Sequence, residues 1–224
     1  MTYRTNRGDT LIEVLLGITI FSMLAVGSMY LMNRGIVAAQ DSLEYTAARN
    51  MIENQAELLR HLNAITLISG GRTVGPIVAP VSGPLAEWRK ITTPAPGLLR
   101  TTVYPYDDIG KGDNCQGILT GSPIVPGAPA HKFFIDPNSG YIKSNPADFR
   151  IPATYAQIRE ISPGTMVSEG VWIEAVKNTA DATRAPLGVT LSDFYDFHIR
   201  ACWSSADGRT TSTLGTIVRL YEPK

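Results

Sequence analysis

The sequence has no proline before Pro76, although it contains fifteen prolines in all. Because proline interrupts helices, this absence permits one long helix at the amino-terminal end of the chain. An excess of charge of one sign is also missing: 20 Lys and Arg balance 20 Asp and Glu. Without a basic field to hold a polyphosphate, general nucleic-acid binding is not expected. Charged residues make up only 18% of the chain, so some stretch must be poor in charge.

The common motifs of catalysis are absent as well. The sequence has no G-x-S-x-G arrangement and no G-x-x-x-x-G-K-[ST] phosphate loop. His131 and His198 stand far apart in the sequence and have no cysteine in a nucleophile arrangement with them. We therefore predict that the chain is not an enzyme, and that a separate motor would supply energy for any assembly.

One acidic, glycine-spaced loop is a weak candidate for calcium. It contains Asp107, Asp108 and Asp113, whose carboxylate oxygens are ligands that calcium prefers. The loop lacks the spacing of an EF-hand and contains Lys111. A solvated loop without a cofactor is the preferred interpretation.

An uncharged apolar run extends from Val14 to Met32. As a helix rising about 1.5 Å per residue, it matches roughly the 30 Å hydrocarbon core of a bilayer. Arg4 and Arg7 precede the run and only Arg34 follows closely, so the positive-inside rule keeps Met1 cytoplasmic. The sequence therefore predicts a single-pass protein of the cytoplasmic membrane, with everything after about residue 36 outside.

Two acidic residues, Asp9 and Glu13, stand immediately before this run, where a carboxylate is costly if it enters the bilayer. Thr10 and Glu13 have the T-x-x-E spacing of a capping box, which satisfies backbone N–H groups at a helix start. A purely structural role for Glu13 is one interpretation. An intramembrane acid with a function is the other.

The block RGDTLIEVLL at residues 7–16 resembles the class III signal of type IV prepilins, and the resemblance covers residues 4 to 35. In that family a short basic leader ends in glycine, and a mature start, two apolar residues, glutamate and a long apolar helix follow. The resemblance implies that prepilin peptidase cuts after Gly8. Asp9 would then be the first mature residue and Glu13 the characteristic fifth-position glutamate.

The resemblance also implies a role in assembly and a set of partners. Cleavage frees the amine of Asp9, and in a filament Glu13 of one subunit can meet the amine of its neighbour. The family usually has an N-methylated Phe where this chain has Asp9, which departs from the pattern that methylation follows. The implied partners are other pilin subunits, prepilin peptidase, a membrane platform protein, an assembly ATPase complex and the lipid bilayer.

Beyond the apolar run, residues 36–69 place apolar side chains at steps of three and four. This spacing predicts that the helix continues as an amphipathic element to about Ile68. The predicted stripe is formed by Leu43, Ala47, Met51, Ile52, Ala56, Leu59 and Leu62. The organisation is then a leader at 1–8, a membrane or filament-core helix at 9–35, the amphipathic continuation at 36–69 and a head at 70–224.

The head is rich in turn-forming residues and short alternating runs. Residues 72–97 carry five prolines and predict a connecting loop with little regular structure. Strands are predicted at 98–104, 132–135, 141–143, 171–176, 194–203 and 213–221, with a hairpin turn at 136–140. The predicted fold class is α+β and pilin-like: a long amino-terminal helix packed on an antiparallel β-sheet head.

The chain has two cysteines, Cys115 and Cys202. An even count in an exported domain favours a disulfide between them. Closing so long a loop would stabilise the head by about 4 kcal/mol in the chain-entropy model.

These observations lead to one function and one alternative. The chain is expected to be a structural subunit of a type IV pilus or related filament, located in an extracellular pilus after assembly. Asp9 and the large head favour a minor pilin or a pseudopilin. The alternative is a single-pass anchored binding protein that does not enter a filament.

Processing gives the first testable prediction. Cells that carry prepilin peptidase should contain a mature chain that begins at Asp9, and its amino-terminal peptide can be identified by mass spectrometry. Gly8→Val, which changes the residue before the cut, should leave the first eight residues attached. A wild-type chain that keeps its first eight residues would support the plain membrane anchor instead.

Overall fold

The computed structural model describes residues 9–68, 83–93, 98–100, 131–145, 148, 158, 170–178, 194–204 and 211–221. Two helices and six strands lie in these ranges: α1 Asp9–Ile68, α2 Pro84–Thr92, β1 Leu99–Arg100, β2 Lys132–Ile135, β3 Ile142–Lys143, β4 Gly170–Asn178, β5 Phe194–Ser204 and β6 Thr211–Tyr221. The chain divides into two compact units, Met1–Leu43 and Glu44–Lys224, and α1 contributes to both. A long amino-terminal helix and a largely antiparallel sheet make this an α+β protein.

The strands lie in the order β3-β2-β4-β5-β6, and β1 also pairs with β4. All the pairs are antiparallel except β1 with β4, which is parallel. β5 and β6 form the longest pair, from Phe194 opposite Tyr221 to Ser204 opposite Thr211. This confirms the predicted pairing of the last two strands.

The core of the second unit lies between one stripe of α1 and one face of the sheet. Ala48, Ile52, Ala56, Leu59 and Leu62 are buried on α1. They belong to the same cluster as the side chains at alternate positions of the strands, which are Phe133, Ile135, Val171, Ile173, Ala175, Tyr195, Phe197, Ile199, Ala201, Trp203 and Val218. The amphipathic spacing of α1 therefore predicted most of its buried face.

The predicted stripe was wrong at its first residue. Leu43 is 71% exposed, and Ala48, which the prediction omitted, is fully buried. The buried stripe starts inside the second unit, whereas Leu43 is the last residue of the first. Periodicity alone identifies a helix face but does not say where along the helix that face begins to be covered.

A buried amide on α1 completes the sheet where two strands part. β2 pairs with β4 at Lys132 and Phe133, and β1 occupies the same edge of β4 from Ala175 onward, beyond Lys132. Ile135 lies at the opposite end of β2, past the last residue that pairs with β4. Gln55 then acts as the partner of Ile135: its Nε2 donates to the carbonyl oxygen at 2.7 Å, and its Oε1 accepts from the N–H at 2.8 Å. The side-chain amide of a helix residue thus makes the two hydrogen bonds that the backbone of a neighbouring strand would otherwise make.

Helix α2 lies where the sequence predicted an irregular loop, so that prediction was wrong. Gly83 has a φ of 100°, and Pro84 stands in the first turn, where a missing N–H costs nothing. Trp88 is buried, with its ring centroid 5.8 Å from that of Phe197. Glu87 accepts a hydrogen bond from the N–H of Ile142 at 2.9 Å, so α2 holds the β2–β3 hairpin.

That hairpin has the predicted turn. Gly140 has a φ of 71° and donates its N–H to the carbonyl of Asp136 at 2.8 Å. The side chain of Asp136 accepts from the N–H of Asn138 and from the hydroxyl of Ser139. Burial opposes ionisation of Asp136, but these hydrogen bonds and the charge of Lys143 outweigh it and lower the pKa.

Gln55 provides a stability prediction. Gln55→Leu keeps the side chain's size but leaves the buried N–H and C=O of Ile135 unpaired. The free energy of unfolding should fall by about 2 to 4 kcal/mol, since each unpaired buried group costs about 1 to 3 kcal/mol.

Glu57→Ala is the matched control on the same helix. Glu57 forms an exposed ion pair with Arg60, and such pairs contribute at most about 1 kcal/mol. Chemical denaturation of the two variants and the wild type measures the difference. Equal stability of Gln55→Leu and Glu57→Ala would contradict the bridging role.

Candidate functional site

Glu13 lies near the start of α1 and is exposed. In the ranges that the structure describes, no residue forms an ion pair with it. Asp9 is the first residue of α1. The predicted cleavage residue Gly8 lies outside the described residues, so the predicted capping, cleavage and methylation are untested.

The apolar run that follows Glu13 satisfies its own hydroxyl groups. Thr19 donates to the carbonyl of Leu16 at 2.8 Å, and Ser28 donates to that of Ala25 at 2.9 Å. Ser22 donates to the carbonyl of Ile18, also at 2.8 Å. Because these bonds remain within the helix, none of the three hydroxyls needs water.

The large apolar side chains of this part of α1 are exposed, among them Phe21, Met23 and Leu24. In the described part of the chain, the helix from Leu11 to Ile68 is long and apolar enough to cross a membrane, and its apolar window buries nothing against the protein. Length, composition and exposure are those of a possible membrane anchor.

The second face of the sheet carries a group of buried charges that the sequence analysis missed. Glu174 on β4 is fully buried. Its Oε2 accepts from Arg100 on β1 at 2.8 Å, and its Oε1 accepts from the indole of Trp172 at 3.3 Å. Lys132 on β2 stands directly opposite Glu174 in the antiparallel register.

Lys132 is only 5% exposed, and its Nζ lies 5.0 Å from the centroid of the Trp172 ring. Burial lowers the pKa of Lys132 to about 8, and the charges of Arg100 and Arg200 act in the same direction. The negative charge of Glu174 acts in the opposite direction and raises the pKa of Lys132. The charged form of Lys132 is therefore strongly disfavoured in the folded state.

β5 adds two more basic side chains to this face. Arg200, opposite Trp172, is 2% exposed, and His198 stands opposite Glu174. Burial, followed by the charge of Arg200, lowers the pKa of His198. Arg200 stands at one of the polar alternating positions of β5, and it is buried because this end of the second face is covered too.

At the carboxyl-terminal edge of the described sheet, an acidic and a basic side chain form a direct ion pair. Asp196 forms a two-pronged ion pair with Arg219, at 2.7 Å to Nε and 2.9 Å to the terminal nitrogen. Asn178 donates to the same carboxylate at 2.8 Å. Here the acid and the base pair with each other, and the guanidinium lies 4.1 Å from the centroid of the Phe194 ring.

A groove of about 720 Å³ runs between α1 and β6 in the second unit. Its floor is apolar, with Ile52, Ala56 and Val218, and its rim includes the ion pair Arg49–Glu53 at 2.7 Å. This ion pair raises the pKa of Arg49. The groove thus offers an apolar floor with a polar rim to a ligand or a partner.

Cys202 is buried on β5 and is disulfide-bonded. The chain has one other cysteine, Cys115, which lies outside the described residues together with Asp107, Asp108 and Asp113. The predicted pairing and the calcium candidates therefore stay predictions. Among the residues described, no group of three or more His, Cys, Asp or Glu side chains could hold a metal ion.

Comparisons of the chain with protein-family models, with curated proteins and with solved structures give no match.

The sequence contains one weak indication of these buried charges. Lys132, Glu174 and Arg200 each stand within a run of apolar and aromatic residues: KFFI, VWIEAV and FHIRACW. A charge inside such a run is compatible with a solvated face of a strand, and only the register of β2, β4 and β5 brings the three together.

Lys132 gives a prediction about pH. The ordinary pKa of 10.5 applies to the unfolded chain, and about 8 applies to the folded one. Between these values the unfolded chain binds the proton that the folded chain lacks, so stability should rise with pH. The rise is up to about 3 kcal/mol, and below pH 8 the folded state carries the whole penalty.

Lys132→Met should remove this contribution, so the difference in unfolding free energy between variant and wild type should change between pH 8 and pH 10.5. Lys143→Met, on the neighbouring strand, controls for the loss of one lysine and should keep the wild-type slope. Urea titrations at several pH values measure both. If the unfolding free energies of wild type and Lys132→Met changed in parallel with pH, the proposed cost of burying the charge of Lys132 would be contradicted.

Proposed function

We propose that the chain is a structural subunit of a type IV pilus or a related filament, processed after Gly8 and assembled through α1. The single observation that carries the proposal is the make-up of α1. It is one helix from Asp9 to Ile68, with an exposed apolar part after Glu13 and a stripe buried in the core of the head. The pilin-like fold belongs to the same proposal.

The resemblance at residues 7–16 gives this helix its context. A cut after Gly8 places a free amine on Asp9, at the start of α1. In a filament, Glu13 of one subunit is then the partner of a neighbour's amine, and the pair sets the axial register. An unpaired charge in a medium of low dielectric constant is heavily penalised, so only registers that pair the two groups are stable.

The carboxylate of Asp9 modifies this pairing. It lies beside its own amine and four residues from Glu13, where like charges repel modestly. This departure from the family pattern and the size of the head favour a minor pilin or a pseudopilin over the main subunit. The head faces the outside of the cell.

A second candidate function is an anchored binding protein that stays in the membrane. The groove between α1 and β6 favours it, because an apolar floor with a charged rim suits a ligand or a peptide. The two functions differ in where the chain resides, and immunogold labelling of sheared filaments distinguishes them.

Substitution of Glu13 tests the filament function. Glu13→Gln keeps the size of the side chain but removes the charge, so the protein should stay in the membrane and fail to enter filaments. The ratio of sheared-filament protein to membrane protein, measured by immunoblot, should fall at least about tenfold if the pair contributes about 1.4 kcal/mol.

Glu53→Gln is the control, since Glu53 is an exposed carboxylate on α1 whose partner is Arg49 of the same chain. It should enter filaments like the wild type. Normal incorporation of Glu13→Gln would remove the pairing from the proposal, and absence of the wild-type chain from sheared filaments would remove the proposal itself.

A further inference from the structure

The charges that border the apolar part of α1 are spaced to match a bilayer. Glu13 precedes the run, and Arg34 is the first charged residue after it. Their α-carbons are separated by about 32 Å along a helix, and those of Glu13 and Tyr30 by about 26 Å. The two separations bracket the hydrocarbon thickness of about 30 Å.

Tyr30 and Arg34 form a defined pair at the outer end of this run. The guanidinium carbon of Arg34 lies 5.1 Å from the centroid of the Tyr30 ring, and both side chains are exposed. Tyrosine is enriched at membrane interfaces, where its ring is apolar and its hydroxyl is wet. The guanidinium, with its fork of N–H donors, suits a phosphate group.

The hydroxyl groups between the two borders support the same placement. Thr19, Ser22 and Ser28 all donate to carbonyls of the helix itself. Such bonds also occur in the head, from Thr66 to Leu62 and from Thr92 to Trp88, so here they show only that the three hydroxyls need no further partner in hydrocarbon. The part of α1 from Val14 to Met29 is thus suited to hydrocarbon, and the groups that need solvation stand at its two ends.

We infer that α1 has a fixed register in the bilayer, with Glu13 at the inner interface and the Tyr30–Arg34 pair bound to lipid phosphates at the outer one. This inference rests on the proposed anchoring of α1, and it adds the depth of each residue and a lipid contact. It places the carboxylate of Glu13 beside the inner headgroups, where a neighbour's amine can reach it without crossing hydrocarbon.

An alternative register would use Asp41 as the outer border. The run from Val14 to Gln40 would then lie in the bilayer, with Arg34 inside the hydrocarbon. A charged side chain inside the hydrocarbon costs up to about 3 kcal/mol on insertion scales, the full cost applying at the centre, and the longer run would have to tilt. The two registers differ in their midpoints, which are near Met23 for the first and near Gly27 for the second.

Spin-label depth measurements distinguish the two registers. The full chain is reconstituted in phosphatidylcholine vesicles with one nitroxide at a time, attached through Met23→Cys, Gly27→Cys or Met32→Cys. The contact of each label with oxygen and with a water-soluble nickel complex reports its depth. The deepest label should be at position 23, and a deepest label at position 27 would overturn the inference.

Arg34→Gln tests the role of the outer border. Without the guanidinium, the next charge is Asp41, so the deepest position should move by about four residues, from 23 to 27. Arg34→Lys, which keeps a charge, should leave the deepest position at 23. An unchanged depth profile in Arg34→Gln would show that Arg34 does not set the register and would overturn the inference.

The phosphate contact needs its own measurement. In chains with ¹³C at the arginine ζ-carbons, dipolar dephasing by lipid ³¹P reports guanidinium groups close to phosphate. The wild type should have a dephased signal that disappears in Arg34→Gln, and identical spectra would overturn the contact. These experiments require no filament, so they can fail while Glu13→Gln still blocks assembly, and they can succeed if the chain is only an anchored binding protein.

Discussion

Burial of the α1 stripe from Ala48 to Leu62 against one face of the sheet is the interaction on which the head depends. The strands contribute every second residue to the same core, so their register is fixed by which face the helix covers. Where β2 leaves β4, Gln55 of α1 pairs with the backbone of Ile135, which ties the helix to the sheet by hydrogen bonds as well as by packing. Helix α2 extends this core through Trp88 and holds the β2–β3 hairpin through Glu87.

The second face of the sheet buries several charged side chains. Among the described residues, Glu174 is buried beside the basic side chains of Arg100, Lys132 and Arg200. A buried ion pair whose geometry is good is costly to break, yet it is weak as a source of net stability. The cluster therefore makes the head sensitive to pH and to single substitutions, whereas the apolar face supplies most of the burial. Hydrophobic packing and buried charge are separated by the thickness of one sheet.

The first unit has the opposite character, because its apolar side chains are exposed and its hydroxyl groups are satisfied inside the helix. An exposed apolar surface of this kind is typical of a segment that contacts lipid or another protein. The proposed filament function supplies both in turn: bilayer before assembly and neighbouring helices after it. Glu13 and Arg34 are the charged groups that border this surface.

The sequence by itself determined the elements that depend on local pattern. The absence of proline and the three- and four-residue spacing predicted α1 from Asp9 to Ile68, and the D-P-N-S-G turn predicted the β2–β3 hairpin. Helix α2 does not follow from the sequence alone, because the prolines of residues 72–97 suit a loop, whereas proline is also favoured in the first turn of a helix, where Pro84 stands. The start of the buried stripe, the bridge from Gln55 to Ile135 and the cluster around Glu174 were decided only by the tertiary structure. Each of these features depends on which distant segments pack together. Whether a charge or an amide is buried is decided by that packing and not by the local sequence.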